Sequence, residues 1–204
     1  MPADATDFRR SAYLLLTAVA VAIAAAKVVG AENVFEPSRY TPPSKDAYST
    51  NPPDPPRNWP TERPDPTPMF SSNDRSRWAT VRALVDDGSY VIGTRTYPDG
   101  GNPKTYKDAG IIAEGQYKSL DIILRPLGSA EPGKTAEREF YSTKPPLFAT
   151  LLAGEYWLLK NVFGWSIVRD RWLVIPTILL TMNVIPFAIY LRDAWPYFRR
   201  ELRQ

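Results

Sequence analysis

The 204 residues include 25 Lys/Arg and 22 Asp/Glu for a net charge of +3, with 21 Pro and neither Cys nor His. Without those two residue types there is no thiol nucleophile, disulfide, Cys/His zinc site, Ser-His-Asp triad or imidazole acid–base catalyst. Any chemistry must rest on carboxylates, Lys, Arg, Tyr or hydroxyls, and the small net charge argues against a nucleic-acid partner.

The mean hydropathy of −0.31 is slightly polar, yet long apolar runs lie near both ends. The first is Ala12 to Ala26, followed by Lys27 and then Val28 to Ala31. Lys27 can extend its amine to the interface and lengthen the segment to about 20 residues, enough to cross a bilayer. A span over 11–31 behind a short tail at 1–10 is one reading. A cleaved signal peptide is the other, since Arg9-Arg10 precede an apolar region that ends in small residues.

From Pro37 to Pro68 the chain holds 11 prolines. Clusters such as Pro42-Pro43 and Pro55-Pro56 remove amide donors and favour extended polyproline II, so 32–69 reads as a spacer.

Order resumes near Ser71, where Asn73 or Asp74 suits an N-cap and Trp78, Val81, Ala83, Leu84 and Val85 suggest a short helix ending at Asp86-Asp87-Gly88. Tyr90 to Ile92 reads as a strand and Pro98-Asp99-Gly100-Gly101 as a turn. Ile111-Ile112 and Leu120 to Leu124 read as further strands, before a polar loop from Gly128 to Glu139. The segment 70–144 is thus a small α+β unit.

Over 145–168 Phe148, Leu152, Tyr156, Leu159 and Phe163 recur at helical spacing. Glu155 and Lys160 would each cost about 2.5–3.5 kcal/mol at mid-bilayer, more than the leucines return. The stretch is therefore an amphipathic helix, lying along a membrane surface or packing on the small domain. Trp172 to Leu191 runs for twenty residues without a charge and gives a span over 171–191. Pro176 and Pro186 would kink it, and Thr181 and Asn183 would favour a partner helix over lipid.

Charge placement orients this arrangement. Between Glu32 and Asp170 there are 17 Lys/Arg against 18 Asp/Glu, while Arg9, Arg10, Arg192, Arg199, Arg200 and Arg203 flank the two runs on their outer sides. The excess of basic residues puts both termini in the cytoplasm, including the basic tail 192–204, and the middle outside a cytoplasmic (inner) membrane. The fold class expected is a mainly α membrane protein. Two transmembrane helices flank a Pro-rich linker, a small α+β loop domain and a juxtamembrane amphipathic helix.

Two local patterns bear on chemistry. Asn73-Asp74-Arg75-Ser76-Arg77-Trp78-Ala79 opens one helix, and Tyr141-Ser142-Thr143-Lys144-Pro145-Pro146-Leu147 opens the next. An ammonium and a carboxylate at a membrane surface suit transfer from a membrane-held phosphate. Lys answers the phosphate charge, and Asp orients or deprotonates an acceptor. Each pattern also has a plain structural explanation, because Asp commonly caps helices and Pro suits a first helical turn.

In their order along the chain, the Asp-x-x-Arg-aromatic-Ala helix, Lys-Pro-Pro-Leu, the helix ending at Phe163-Gly164 and the span opened by Arg171 resemble the N-terminal part of C-type membrane glycosyltransferases. The group in question contains family 39, the protein O-mannosyltransferases and the lipid A aminoarabinose transferases. The resemblance covers about residues 70–191. It implies Asp74 as the catalytic carboxylate of the first outer loop, Lys144 on the phosphate of a polyprenyl-phosphate sugar, and Arg77 as the basic residue after the acid. It also implies an inverting transfer without a nucleotide sugar. Arg75 stands where many relatives carry a second acid, and the interval between Asp74 and Lys144 is longer than usual.

Members of that family continue into further membrane helices, so the resemblance implies a module incomplete by itself: an incomplete product, one part of a split enzyme that assembles with a second multi-span membrane protein, or a degenerate relative. The other expectation is a non-enzymatic, two-span envelope protein acting as an anchored scaffold. Membrane lipids are partners under either reading. No cofactor is expected, and a divalent metal is left open.

Overall fold

The computed structural model describes residues 3–33, 65–97, 106–127 and 136–201. It divides into two compact units, one formed by residues 1–31 with 159–204 and the other by 32–158.

The first unit is helical. Helix α1 runs from Ala3 to Val29, and its Ala-, Leu- and Val-rich sequence carries Lys27 in the last turn, where a cation opposes the negative end of the helix dipole. Helix α4 (Arg171–Leu179) passes through a π-helical turn at Leu180–Val184 into α5 (Ile185–Glu201). Helices α1 and α5 pack together: the Tyr13 hydroxyl donates to the Leu191 carbonyl, and the Tyr13 and Trp195 rings lie 4.8 Å apart. Phe8–Val29 and Arg171–Tyr197 are both long and apolar enough to cross a membrane. The second helix continues beyond the Leu191 boundary expected from the sequence.

Pro176 lies inside α4 and withholds an amide from the helical ladder. Nearby polar side chains return hydrogen bonds to their own helix. Thr177 Oγ1 donates to the Leu173 carbonyl at 2.7 Å, Thr181 Oγ1 to Ile178 at 3.0 Å, and Asn183 Nδ2 to Leu179 at 3.1 Å. These bonds satisfy the side-chain donors of Thr181 and Asn183 within their own helix, and the π-helical turn that carries both residues packs against α1, in keeping with the expected preference for a partner helix.

The second unit packs helix α2 (Ser72–Asp86) against an antiparallel sheet. Its strands are β1 (Gly93–Tyr97), β2 (Lys107–Ala109), β3 (Ile122–Pro126) and β4 (Ala136–Ser142), in the order β2-β1-β4-β3. Trp78, Val81, Ile92, Tyr117 and Phe140 are almost completely buried. Burying such side chains is the dominant favourable contribution, at roughly 25 cal/mol per Å² of apolar surface. Gly93 (φ 152°) and Gly110 (φ 84°) meet where β1 enters the sheet, and a Cβ on Gly93 would lie 2.4 Å from the Ala109 carbonyl oxygen. Only glycine fits there.

Several local expectations change. The N-cap of α2 is Ser71, not Asn73 or Asp74; its hydroxyl accepts from the Asp74 amide, which makes Asp74 the third helical residue. The strand expected at Tyr90 to Ile92 begins at Gly93, although the Ile92 amide already bonds to the Phe140 carbonyl. Ile111 and Ile112 are buried in a 3₁₀ turn, not in a strand, since a short apolar pair reports burial without specifying backbone shape.

The strand expected at Leu120 to Leu124 shifts to Ile122–Pro126, because Ser72 Oγ and Ser119 Oγ hold the amides of Leu120 and Asp121 in a turn. The loop expected up to Glu139 yields to β4 from Ala136. Glu137 and Glu139 sit opposite Thr96 and Thr94, so the strand reads as polar on that face.

Residues 34–64 of the Pro-rich segment and the turn at Pro98–Gly101 lie outside the described residues. The ends of the Pro-rich segment are tied, with Asn33 and Thr67 exchanging backbone hydrogen bonds of 2.9 and 2.8 Å. Pro68 and Met69, expected to belong to the spacer, are buried. Helix α3 (Pro146–Phe163) is shorter than the expected 145–168 and ends at Gly164, whose φ is 71°.

Candidate functional site

The second unit contains a cleft of about 370 Å³. Helix α2 contributes Arg77 and Thr80, the loop before β1 contributes Tyr90, and β4 with its exit contributes Tyr141, Ser142 and Lys144. The first turns of α3 contribute Pro146 and Ala149. Arg77 and Thr80 are three residues apart and so share a helix face. Sequence reading singles out Arg77 and Lys144, and the fold brings both to this cleft.

Hydroxyl groups fix these walls relative to one another. Ser142 Oγ donates to Ser76 Oγ at 3.0 Å, Ser76 Oγ donates to the Asn73 carbonyl at 3.0 Å, and the Lys144 amide donates to Ser142 Oγ at 3.2 Å. This chain ties the segment carrying Lys144 to the first turn of α2. Tyr90 Oη lies 2.8 Å from Thr150 Oγ1, and Tyr141 Oη donates to Glu139 at 2.5 Å. That bond to a carboxylate holds the proton on the phenol and raises the Tyr141 pKa.

The two cations differ in their surroundings. Arg77 stacks over the Phe148 ring at 5.9 Å and forms no ion pair among the described residues. Lys144 Nζ lies 2.9 Å from Asp121 Oδ1, with the two side chains 24% and 25% exposed. Register explains this pairing. Ile122 opposes Ser142 across β3 and β4, and the Thr143 amide donates to the Asp121 carbonyl at 3.1 Å, so Asp121 falls beside the β4 exit. The Lys144 ammonium holds the Asp121 carboxyl below its ordinary value.

Asp74 is not among the residues lining the cleft. Its Oδ2 accepts from the Phe70 amide at 3.0 Å while its own amide donates to Ser71 Oγ at 3.4 Å, giving a reciprocal cap at the start of α2. Burial raises its pKa, outweighing the Phe70 amide and the charges of Arg77 and Arg75. The Trp78 indole also favours the anion, although its buried Nε1 completes no well-formed hydrogen bond. Arg75 is buried and donates through Nε to the Lys118 carbonyl at 2.9 Å, so it braces α2 against the following turn.

The cleft therefore presents a guanidinium, an ammonium and several hydroxyl groups, which suits a phosphate or another oxyanion. Sequence reading missed Tyr90, Thr80 and Asp121 as members or neighbours of the site. Tyr141 and Ser142 were visible only as part of the stretch leading to Lys144. Among the described residues no group of acidic side chains is arranged to hold a metal. No family model matches the chain, and neither a curated protein nor a solved structure does so.

Proposed function

We propose that the chain is a membrane-anchored module that binds the phosphate of a polyprenyl-phosphate sugar and serves transfer of that sugar to an extracytoplasmic acceptor. The observation that carries this reading is that Arg77, from the first turns of α2, and Lys144, from the exit of β4, line one cleft. Two apolar helices provide the anchors. Arg9 and Arg10 before the first, with Arg192 and Arg199 at the end of the second, favour cytoplasmic termini.

In this reaction the acceptor oxygen bonds to the anomeric carbon. The bond from that carbon to the phosphate oxygen breaks, its electron pair stays on the phosphate, and the acceptor proton passes to the Asp74 carboxylate. A carboxylate with a raised pKa is a better proton acceptor, and that displacement supports the role given to Asp74. Arg77 and Lys144 stabilise the charge gathered on the leaving phosphate.

Asp74's engagement with Phe70 outside the cleft lining favours a second reading, an anchored binding module without catalysis. Native membranes carrying the chain and its associated proteins, incubated with radiolabelled polyprenyl-phosphate sugar, separate the two. Transfer that disappears with Asp74→Asn while lipid binding remains supports the enzyme. Binding without transfer in the wild type supports the anchored module, and transfer unaffected by Asp74→Asn overturns the catalytic role.

A further inference from the structure

We propose that Asp121 is an internal competitor for Lys144: its carboxylate occupies the ammonium until an incoming phosphate displaces it. This inference rests on the reading of the cleft as an anion site and adds how that site is held when empty of anion. The 2.9 Å ion pair spends part of the Lys144 charge on a neighbour that is not itself a lining residue. Arg77 has no such neighbour within ion-pair distance among the described residues, so it is the cation ready to meet a ligand first.

The geometry gives Asp121 little other employment. Its backbone is held independently: its amide donates to Ser119 Oγ at 3.0 Å, and its carbonyl accepts from Thr143 at 3.1 Å. Ser72 and Arg75 also favour its anionic form, but Lys144 is its principal side-chain partner. Removing the carboxylate therefore leaves the β3–β4 register and the turn in place while freeing the ammonium. Both partners are partly exposed, so the pair is weak enough for a phosphate to exchange with it. A phosphate group has two or more free oxygens with which to engage Arg77 and Lys144 together, whereas Asp121 is paired with Lys144 and not with Arg77.

The test is calorimetric titration of the detergent-solubilised full chain with inorganic phosphate and, separately, with a short-chain isoprenyl phosphate at fixed ionic strength. Asp121→Asn and Asp121→Ser are each expected to bind tighter than wild type, by up to about fivefold. In the Lys144→Ala background Asp121→Asn should give no gain, because the competition runs through that ammonium. A gain for both ligands assigns the effect to the phosphate group alone, and a gain only for the isoprenyl phosphate assigns it to a lipid-borne phosphate.

Unchanged or weaker binding by both Asp121 variants, with wild-type binding intact and unaltered circular dichroism, overturns the competition and makes Asp121 a support for Lys144. Absence of binding to wild type and variants alike removes the anion site itself, and the competition with it.

Discussion

Asp74 and Asp121 have opposite pKa displacements, and the opposition can be measured. Burial raises Asp74 above its ordinary value of 3.8. Its favourable contribution to folding is therefore complete below about that pH and is lost as pH rises through the elevated value. Asp121 is depressed by Lys144, so its contribution is present above its ordinary value of 3.8 and is lost as pH falls through the depressed one. Asp74→Asn keeps an oxygen for the Phe70 amide and removes the buried charge. Melting temperatures across the pH range should show Asp74→Asn as stable as wild type or more so at pH 7, with a flatter decline above pH 4. A deficit at pH 7 that vanishes in acid would contradict the burial argument. Asp74→Ala also removes the acceptor from the capping arrangement, and should cost about 0.5–2 kcal/mol by chemical denaturation.

Ser76 tests the hydroxyl chain at the same scale. It is fully buried, donates to the Asn73 carbonyl and receives the Ser142 hydroxyl. Ser76→Ala should cost about 1 kcal/mol. It should also speed amide exchange at Lys144, whose N–H is held by Ser142. Unchanged exchange there would mean that the chain does not fix the Lys144 segment.

Where β1 meets the turn after β2, the backbone leaves no room for a side chain on Gly93 or Gly110. Gly93→Ala would drive a methyl group into the Ala109 carbonyl and impose an unfavourable backbone conformation. Denaturant unfolding should report a loss of about 1–3 kcal/mol or more, with Gly110→Ala behaving similarly because its Cβ would lie 2.7 Å from Gly93 Cα. Loss of less than about 0.5 kcal/mol from either would contradict the close approach.

The legibility of these elements follows from the range over which each is determined. Twenty uncharged residues from Trp172 to Leu191 make a helix locally, and Ala12 to Ala26 does so as well; both apolar helices were readable directly. So is the body of α2, although Ser71, Asn73 and Asp74 are all suitable cap types and local sequence does not single out Ser71 as the one used. The polar start of β4 was not readable, since Glu137 and Glu139 face threonines on a neighbouring strand and no local alternation marks them as paired. The cleft shows the same division. Arg77 and Lys144 stood out in short motifs, whereas Asp121 reaches Lys144 only through the Ile122–Ser142 register, which is set by contacts distant in sequence.

The whole molecule joins two apolar helices to a small α+β unit whose cleft displays two cations. The length and composition of Phe8–Val29 and Arg171–Tyr197 predict that the full chain stays with the membrane pellet after alkaline carbonate extraction. Release into the supernatant would count against both spans. Joint binding of a lipid-borne phosphate by Arg77 and Lys144 at that membrane is what we propose. Its most direct measurement is quantitative mass spectrometry of a short-chain isoprenyl phosphate retained by the full chain reconstituted in nanodiscs, comparing wild type with the Arg77→Ala/Lys144→Ala double variant. Joint binding by the two cations predicts near-stoichiometric, saturable retention by wild type and its loss from a folded double variant. Equal retention by the two would contradict it.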